Sequence, residues 1–172
     1  MRFNVLTLLT VALSPLVVSC GYCPPRNPDG FKASDELKSW FKGAADEFFP
    51  FRDGWEKGYK KHFSKDLTAT FNATWYDYHG LKDFYKNRAN PILQDAFKGT
   101  FQYGFTGLVA VPFLGIARGG WVYATVWEFG YRWGNPDLPW NVTLGAFGLI
   151  EEEDDCKLRI REWREASNLG YI

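Results

Sequence analysis

Two residues that could exchange a proton with a ligand stand close together in the segment DLTATFNATWYDYHGLKDFY, residues 66–85. Asp77 and His79 are two positions apart, and side chains at positions i and i+2 share one face of an extended segment. A histidine near its ordinary pKa of about 6.5 suits proton transfer, and an adjacent carboxylate favours its charged form. With the hydroxyl of Tyr76 or Tyr78, this pair could catalyse an enolisation or a dehydration. The alternative is structural, with Asp77 capping the following helix and His79 exposed at its start.

Glu128 is a second candidate, because it is a carboxylate on a strand face that is otherwise apolar. If the side chain is buried, its pKa rises and it becomes a candidate general base. Alternatively, Glu128 pairs with an arginine of a neighbouring strand, for instance Arg159 or Arg161.

Other kinds of chemistry find little support in the sequence. The only histidines are His62 and His79, and nothing has the spacing of a zinc motif, so we predict no metal site and no cofactor. The acidic run Glu151–Asp155 is typical of a solvated hairpin turn rather than of a calcium site. No G-x-S-x-G motif is present, which leaves that type of hydrolase without its nucleophile. Twenty basic and twenty acidic residues cancel, so no strong field attracts nucleic acid.

Two helices are predicted before the first strand, because large apolar residues recur at helical spacing. The first begins with Ser34 as its cap and ends at Pro50, and the second begins near Asp53. The inward stripes of these helices are Leu37, Trp40, Phe41, Ala44 and Phe48 in the first, and Trp55, Tyr59, His62 and Phe63 in the second.

After these helices the apolar residues first alternate, as in a strand, and then return to helical spacing. Residues 67–78 are predicted to form one or two strands, and residues 80–97 a helix interrupted at Asn90–Pro91. Four long strands follow, at Phe101–Phe113, Trp121–Trp133, Asn141–Glu151 and Lys157–Arg164. Helices followed by a run of antiparallel strands indicate an α+β fold, a cone-shaped barrel of a curved antiparallel sheet wrapped around the N-terminal helices.

This order of elements resembles the nuclear-transport-factor-2-like superfamily, in particular its SnoaL-like branch, over about residues 35–166. The resemblance is carried by HFSKD, LTATFN and HGLKDFY in the first half, and by CKLRIREWREASN at the closing strand. It implies a cone-shaped α+β barrel with an apolar pocket. Members of the superfamily include isomerases, dehydratases and polyketide cyclases, and others only bind ligands or proteins, so the fold alone does not choose a function.

The sequence departs from the family at its usual catalytic positions. Ketosteroid-isomerase-like members carry a carboxylate base on the first strand, where this chain has Phe71 beside Asn72. The closing strand of the family often ends in an aspartate, where this chain supplies Glu165 and Asn168. The usual base is therefore missing or moved.

Aromatic residues make up 19% of the chain, which is enough for a large core, for the lining of an apolar cavity, or for both. If Asn72 faces outward, alternation along the strand places Trp75 inward. We predict that Tyr59, Trp75, Tyr103 and Trp127 line a ligand pocket.

The N-terminal segment has the pattern of a secretory signal peptide, with Arg2 before the apolar run Val5–Val18 and small residues up to Gly21. A lipobox with Cys20 lipidated and a retained anchor are the alternatives. We predict a signal peptide at 1–21, an arm at 22–33 and a single domain at 34–172.

Secretion also explains the remaining cysteines and two glycosylation triplets. Cys23 and Cys156 would form a disulfide in an oxidising compartment, tying the mature N-terminus to the start of the last strand. Asn72-Ala73-Thr74 and Asn141-Val142-Thr143 are acceptor sequences for N-linked glycans, which requires both asparagines to face solvent. The predicted location is extracellular.

Three functions follow as hypotheses. The first is a secreted protein that binds a small apolar or aromatic molecule in an aromatic pocket. The second is a SnoaL-like lyase or isomerase, of dehydratase or ketosteroid-isomerase type, with Asp77 and His79 as acid and base. The third is an extracellular interaction protein that uses the outer sheet face, where a homodimer could also form. No nucleic-acid partner is predicted, and no membrane association after removal of the signal.

Overall fold

The computed structural model describes Cys23, residues 29–115 and residues 118–168. The predicted signal peptide and half of the predicted arm lie outside the described residues. In the described part, no helix combines the length and the apolar character that crossing a membrane would need.

The first two helices pack side by side. Helix α1 spans Gly30–Phe48 and helix α2 spans Trp55–His62. The close approach is possible because Gly58 has no side chain, and a Cβ atom there would lie 2.3 Å from the backbone oxygen of Glu47. The stripe predicted for α2 faces inward, with Trp55, Tyr59 and His62 buried.

The predicted cap of α1, Ser34, was wrong by five residues. The helix begins at Gly30, because Asp29 is its cap and accepts hydrogen bonds from the backbone N–H groups of Phe31 at 3.0 Å and Lys32 at 3.3 Å. The hydroxyl of Ser34 instead donates to the carbonyl oxygen of Ala110 at 2.9 Å and ties α1 to the sheet.

A third helical segment changes its pitch in the middle. Helix α3 spans Tyr78–Phe84, a π-helical turn spans Tyr85–Ala89, and helix α4 spans Asn90–Phe97. The wide turn lies directly before Pro91, whose ring would clash with the carbonyl four residues earlier in a regular α-helix. The predicted interruption at Asn90–Pro91 is therefore a change of pitch within a continuous helical segment.

The described strands form one six-stranded open sheet. They are β1 Phe63–Phe71, β2 Thr74–Asp77, β3 Gln102–Pro112, β4 Gly119–Tyr131, β5 Pro139–Glu152 and β6 Leu158–Ser167. Their order in the sheet is β2-β1-β6-β5-β4-β3. The four long strands predicted from the sequence are confirmed to within three residues at each end.

The sheet is mixed rather than wholly antiparallel as predicted. Strand β1 runs parallel to β6, because the helices that follow β2 and the three antiparallel strands after them bring the chain back in the same direction. All other neighbours are antiparallel. The predicted α+β cone is confirmed with this one difference.

The core is a layer of rings between the helices and the inner face of the sheet. Phe48 of α1 meets Phe63 of β1 edge to face, with ring centres 5.0 Å apart, and Tyr59 stacks on Phe63 at 4.3 Å. The inner face of β4 carries smaller residues, Val122, Ala124 and Val126, beneath these rings. Large side chains on the helices and small ones on the sheet thus set the spacing between the two layers.

The predicted disulfide between Cys23 and Cys156 is present, with Cα atoms 5.2 Å apart. Cys156 lies in the turn between β5 and β6, where Arg159 bonds to both carboxylate oxygens of Asp155 at 2.8 and 2.7 Å. The bond therefore joins the N-terminal end of the described chain to the last hairpin.

Candidate functional site

A narrow cavity lies between α1, the π-helical turn and the inner face of the sheet. Its volume is about 40 Å³, or about 600 Å³ when the open space at its mouth is included. The walls are Phe41, Ala45, Phe48, Phe49, Phe51, Phe71, Tyr85, Ala89, Leu93, Tyr103, Phe105, Ala124, Val126, Glu128, Leu144, Ala146, Trp163 and Glu165. The space suits a small, flat and mostly apolar molecule.

The cavity exists because small residues of the sheet face large rings of the helices. Ala124 of β4 and Ala146 of β5 are direct cross-strand neighbours on the inner face. Their methyl groups are too short to reach the rings of Phe41 and Phe48 on α1, and stiff aromatic side chains cannot bend to fill the gap.

Glu128 is the most unusual residue of the wall. It lies on the inner face of β4, opposite Tyr103 of β3 and Val142 of β5, and only 2% of its surface is exposed. Its Oε2 atom has no hydrogen-bond partner among the described residues. Burial, with a smaller contribution from the charge of Glu165, raises the pKa of Glu128 to about 8.

The alternative pairing of Glu128 with an arginine of a neighbouring strand was wrong. Arg159 bonds to Asp155 and to Glu153 in the turn before β6. Arg161 lies 3.4 Å from Glu151 across the β5–β6 pair. Both arginines therefore pair with acidic residues in or next to the turn before β6. Among the described residues that line the cavity, none is a counter-ion for Glu128.

Glu165 is the second carboxyl group of the wall, and it is buried on β6. Its Oε2 atom accepts hydrogen bonds from the Tyr85 hydroxyl at 2.8 Å and from the indole N–H of Trp163 at 3.0 Å. Burial raises the pKa of Glu165, and the two hydrogen bonds lower it in part. Tyr85 comes from the π-helical turn, so the change of pitch before Pro91 helps to position this group.

The wall is acidic and lacks basic groups. In the ranges that the structure describes, its titratable residues are Glu128, Glu165, Tyr85 and Tyr103, and no lysine, arginine or histidine joins them. Burial and the hydrogen bond to Glu165 raise the pKa of Tyr85, so its hydroxyl stays protonated and acts as a donor. Within the described residues, no group of histidine, cysteine, aspartate and glutamate side chains could hold a metal ion.

A second groove, here called the rim, is open to water and shares three aromatic residues with the cavity, Tyr103 among them. The hydroxyl of Tyr103 donates a hydrogen bond to Asp46 of α1. Lys42 and Arg52 line this groove, and both residues are exposed, so solvent screens their charges.

Asp77 and His79 lie outside the cavity. The Oδ1 atom of Asp77 accepts a hydrogen bond from the backbone N–H of Gly80 at 2.7 Å and caps α3. His79 is exposed in the first turn of that helix, with its ring against the ring of Tyr78. Both residues thus have the arrangement of the structural alternative, and neither lines the cavity. Their role as an acid and a base stays a prediction.

Only one of the four aromatic residues predicted to line the pocket does so. Tyr103 lines the cavity, whereas Tyr59 is fully buried in the core and donates to the carbonyl oxygen of Tyr78 at 2.9 Å. Trp75 is 62% exposed and Trp127 is 40% exposed, both on the outer face of the sheet.

The two tryptophans were misplaced for different reasons. The chain turns at Asn72 and Ala73, where Asn72 has a φ of 51°, so alternation cannot be carried across from β1 to β2. In β4 both faces are apolar, and the face with small residues turns inward because the helices already supply the large rings. Trp127 packs instead over Gly104 of β3, where a Cβ atom would lie 2.7 Å from its indole nitrogen.

The asparagines of the two glycosylation triplets are exposed. Asn72 Oδ1 accepts a hydrogen bond from the backbone N–H of Ser167 at 3.0 Å, which leaves the amide nitrogen that would carry a glycan uninvolved in that bond. Asn141 lies on β5 opposite Phe129 of β4.

Seventy-four solved chains match this structure significantly. Nuclear transport factor 2 from Cryptosporidium parvum has a TM-score of 0.57 and 12% identity, covering 86% of this chain and 100% of that chain. The β subunit of benzoate 1,2-dioxygenase from Burkholderia mallei has a TM-score of 0.58 and 10% identity, covering 80% and 92%. The hexachlorocyclohexane dehydrochlorinase LinA-type3 from Novosphingobium barchaimii has a TM-score of 0.55 and 15% identity, covering 78% and 91%.

These comparisons confirm the nuclear-transport-factor-2-like fold that the sequence resemblance implied. At such low identity they establish the fold and not the activity. No protein-family model matches the sequence, and no curated protein matches it.

Proposed function

We propose that this chain, which has the nuclear-transport-factor-2-like fold, binds a small and largely apolar molecule in the cavity beneath its sheet. The observation that carries the proposal is the buried carboxyl group of Glu128, which has an oxygen without a hydrogen-bond partner among the described residues, in a wall of aromatic rings. A buried polar group without a partner is costly, and a ligand that supplies the missing hydrogen bond recovers that cost.

Two alanines on opposite faces of the sheet provide a test. Ala146 lines the cavity, and Ala166 of β6 is exposed on the outer face. Ala146→Leu would fill the space, so we expect the affinity for a one-ring probe such as benzyl alcohol to fall at least tenfold, measured by calorimetry. Ala166→Leu is the control and should leave the affinity unchanged. Equal affinities of wild type and Ala146→Leu would contradict binding in this cavity.

A second candidate is proton abstraction from a carbon acid, with Glu128 as the general base. Its support is the pKa of about 8, which is close to working pH, for a carboxyl group that borders a cavity among buried apolar side chains. The reaction class is that of the predicted lyase or isomerase, but the acid–base pair Asp77 and His79 has no part in it. Deuterium uptake next to the carbonyl of a small cyclic ketone, followed by NMR, should be faster with wild type than with Glu128→Gln. Equal rates would exclude this candidate.

The outer face of the sheet supports a third candidate, an interaction surface that could also form a homodimer. Val109, Tyr123 and Trp127 expose 58%, 51% and 40% of their surface on neighbouring strands β3 and β4. Sedimentation of wild type and of Tyr123→Lys would test it. A dimer that dissociates in the variant supports the surface, and a monomeric wild type argues against self-association.

Secretion stays a proposal, supported by the pattern of residues 1–21, the disulfide and the exposed asparagines Asn72 and Asn141. Mass spectrometry of protein secreted from a eukaryotic host, under native and then denaturing conditions, would report cleavage, glycans, the disulfide and any retained molecule. Material that stays inside the cell, with Cys23 and Cys156 as thiols, would contradict it.

A further inference from the structure

We infer that the ligand of the cavity is a small amine, which binds as a cation with its ammonium group against Glu128 and Glu165 and its apolar part among the rings. This inference rests on the proposed binding function and adds the chemical class of the ligand. It comes from three properties of the same wall, namely its charge, its rings and its hydrogen-bond acceptors.

The acidic groups of the wall select against anions. Glu128 and Glu165 are its acidic residues, and no described basic side chain lies among the lining residues. A carboxylate or phosphate ligand would enter a buried site that offers it no cation, so the cost of removing its charge from water would not be compensated. A cation would bring the counter-ion that the fold itself does not provide.

The rings of the wall also favour a cation. Four of the rings that line the cavity are those of Phe41, Phe48, Tyr85 and Trp163. The face of an aromatic ring carries partial negative charge and attracts an ammonium group. Aromatic walls with acidic groups are therefore suited to organic cations, whereas an apolar ligand alone would gain nothing from the glutamates.

The acceptors are placed to receive the N–H groups of an amine. Oε2 of Glu128 has no donor among the described residues. The hydrogen bonds that Glu165 accepts from Tyr85 and Trp163 both reach its Oε2 atom and not its Oε1 atom. An ammonium group carries up to three N–H donors and no acceptor, which matches a wall that offers acceptors.

Proton release should accompany binding of such a ligand. Glu128 is mostly protonated at neutral pH before binding, because burial disfavours its charged form. The groups that face it are Glu165 of β6, Tyr85 of the π-helical turn and Tyr103 of β3, and none of them is a cation. An ammonium ion beside Glu128 favours the carboxylate, so the proton leaves to solvent as the amine binds.

Three probes of nearly equal shape separate the possibilities: benzylamine as the cation, benzyl alcohol as the neutral analogue and benzoate as the anion. Calorimetry on the wild-type protein should give the tightest binding with benzylamine. For a group with a pKa of about 8, the ionised fraction rises about fiftyfold between pH 6 and pH 8. The affinity for benzylamine should rise by a similar factor over that range, while the affinity for benzyl alcohol stays constant.

Glu128→Gln should remove this pH dependence and, at pH 8, weaken benzylamine at least tenfold more than it weakens benzyl alcohol. Asp95→Asn is the matched control, because Asp95 is an exposed acid of α4 outside the cavity, and it should behave like wild type. Circular dichroism checks the fold of each variant. If Glu128→Gln does not fold, the pH dependence in the wild type decides alone.

The other outcomes overturn the inference in distinguishable ways. Benzylamine and benzyl alcohol of equal affinity would mean a merely apolar site, which leaves the proposed binding function standing. Tighter binding of benzoate would place the charge of the ligand at the rim, beside Lys42 and Arg52. If none of the three probes binds, the proposed binding function fails together with this inference.

Discussion

The junction between β2 and α3 and the cavity beneath the sheet both place carboxyl groups beside tyrosines, but they differ in their exposure to water. At the junction, Asp77 is exposed and its oxygen caps a helix. In the cavity, Glu128 is buried and one of its oxygens has no partner among the described residues. In the cavity, burial raises the pKa of Glu128 to about 8.

The chemistry of an acidic residue thus depends more on its surroundings in the fold than on its neighbours in the sequence. Asp77 and His79 have the spacing of an acid–base pair, yet the aspartate is exposed and accepts a hydrogen bond from a backbone N–H. Glu128 has no reactive neighbour in sequence, yet its burial makes it both a candidate base and a candidate partner of a cation.

The largest expected effect is on the pH dependence of stability. The folded-state pKa of Glu128, about 8, lies above its ordinary value of 4.5, so the folded state holds a proton that the unfolded state has released. Glu128 therefore contributes fully to the free energy of unfolding below pH 4.5, and this contribution is lost as the pH rises to about 8. With about 1.4 kcal/mol per pKa unit, the loss is about 5 kcal/mol as an upper bound.

Urea unfolding at several pH values measures this loss. Glu128→Gln should flatten the fall in the free energy of unfolding between pH 5 and pH 8, because glutamine does not titrate. A variant that loses stability over this range as steeply as wild type would show that Glu128 is not the group responsible.

A smaller effect is expected from the hydroxyl of Tyr85, which donates to Glu165 in the cavity. Tyr85→Phe leaves that buried carboxyl group with one donor fewer, and the expected loss is about 1 to 3 kcal/mol in the free energy of unfolding. Tyr123→Phe, which removes an exposed hydroxyl on the outer face, is the matched control and should cost almost nothing. Equal effects of the two variants would contradict a structural role for this hydrogen bond.

At the junction, Asp77→Ala should cost about 1 kcal/mol, because the N–H of Gly80 loses its cap. Asp77→Asn keeps a capping oxygen and should stay close to wild type in the same unfolding experiment. Neither variant should change the affinity for benzyl alcohol, and a clear loss of affinity in both would return the junction to consideration as a binding site.

The smallest effect is expected from His79→Gln, which alters an exposed side chain in the first turn of α3. Surface substitutions of this kind usually change stability by less than about 0.5 kcal/mol. Thermal unfolding and probe binding should both match wild type, and a tenfold change in binding would contradict the placement of His79 outside the site.

The α+β fold could be predicted from the sequence, because apolar and polar residues alternate along the long strands and turn residues separate them. It did not predict the parallel pairing of β1 with β6, since pairing depends on contacts between distant segments. It also misassigned Trp75 and Trp127, because a turn at Asn72 shifts the alternation in one case and both strand faces are apolar in the other.

The acidic residues of the site could be predicted from the sequence, but the cavity that they share could not. Glu128 could be singled out as a carboxylate on an apolar strand face, and Glu165 as the acid of the closing strand. That the two line one cavity depends on the register across β4, β5 and β6 and on small alanines between them, which no local pattern contains.

The central claim, that ligands bind in the cavity and not at the junction, is tested most directly by NMR of alanine methyl groups. Benzylamine or benzyl alcohol would be titrated into protein with labelled alanines. The account predicts saturable shifts at Ala124 and Ala146, which line the cavity, and none at Ala73 in the exposed turn before β2. Saturable shifts at Ala73 with unchanged signals for Ala124 and Ala146 would contradict it.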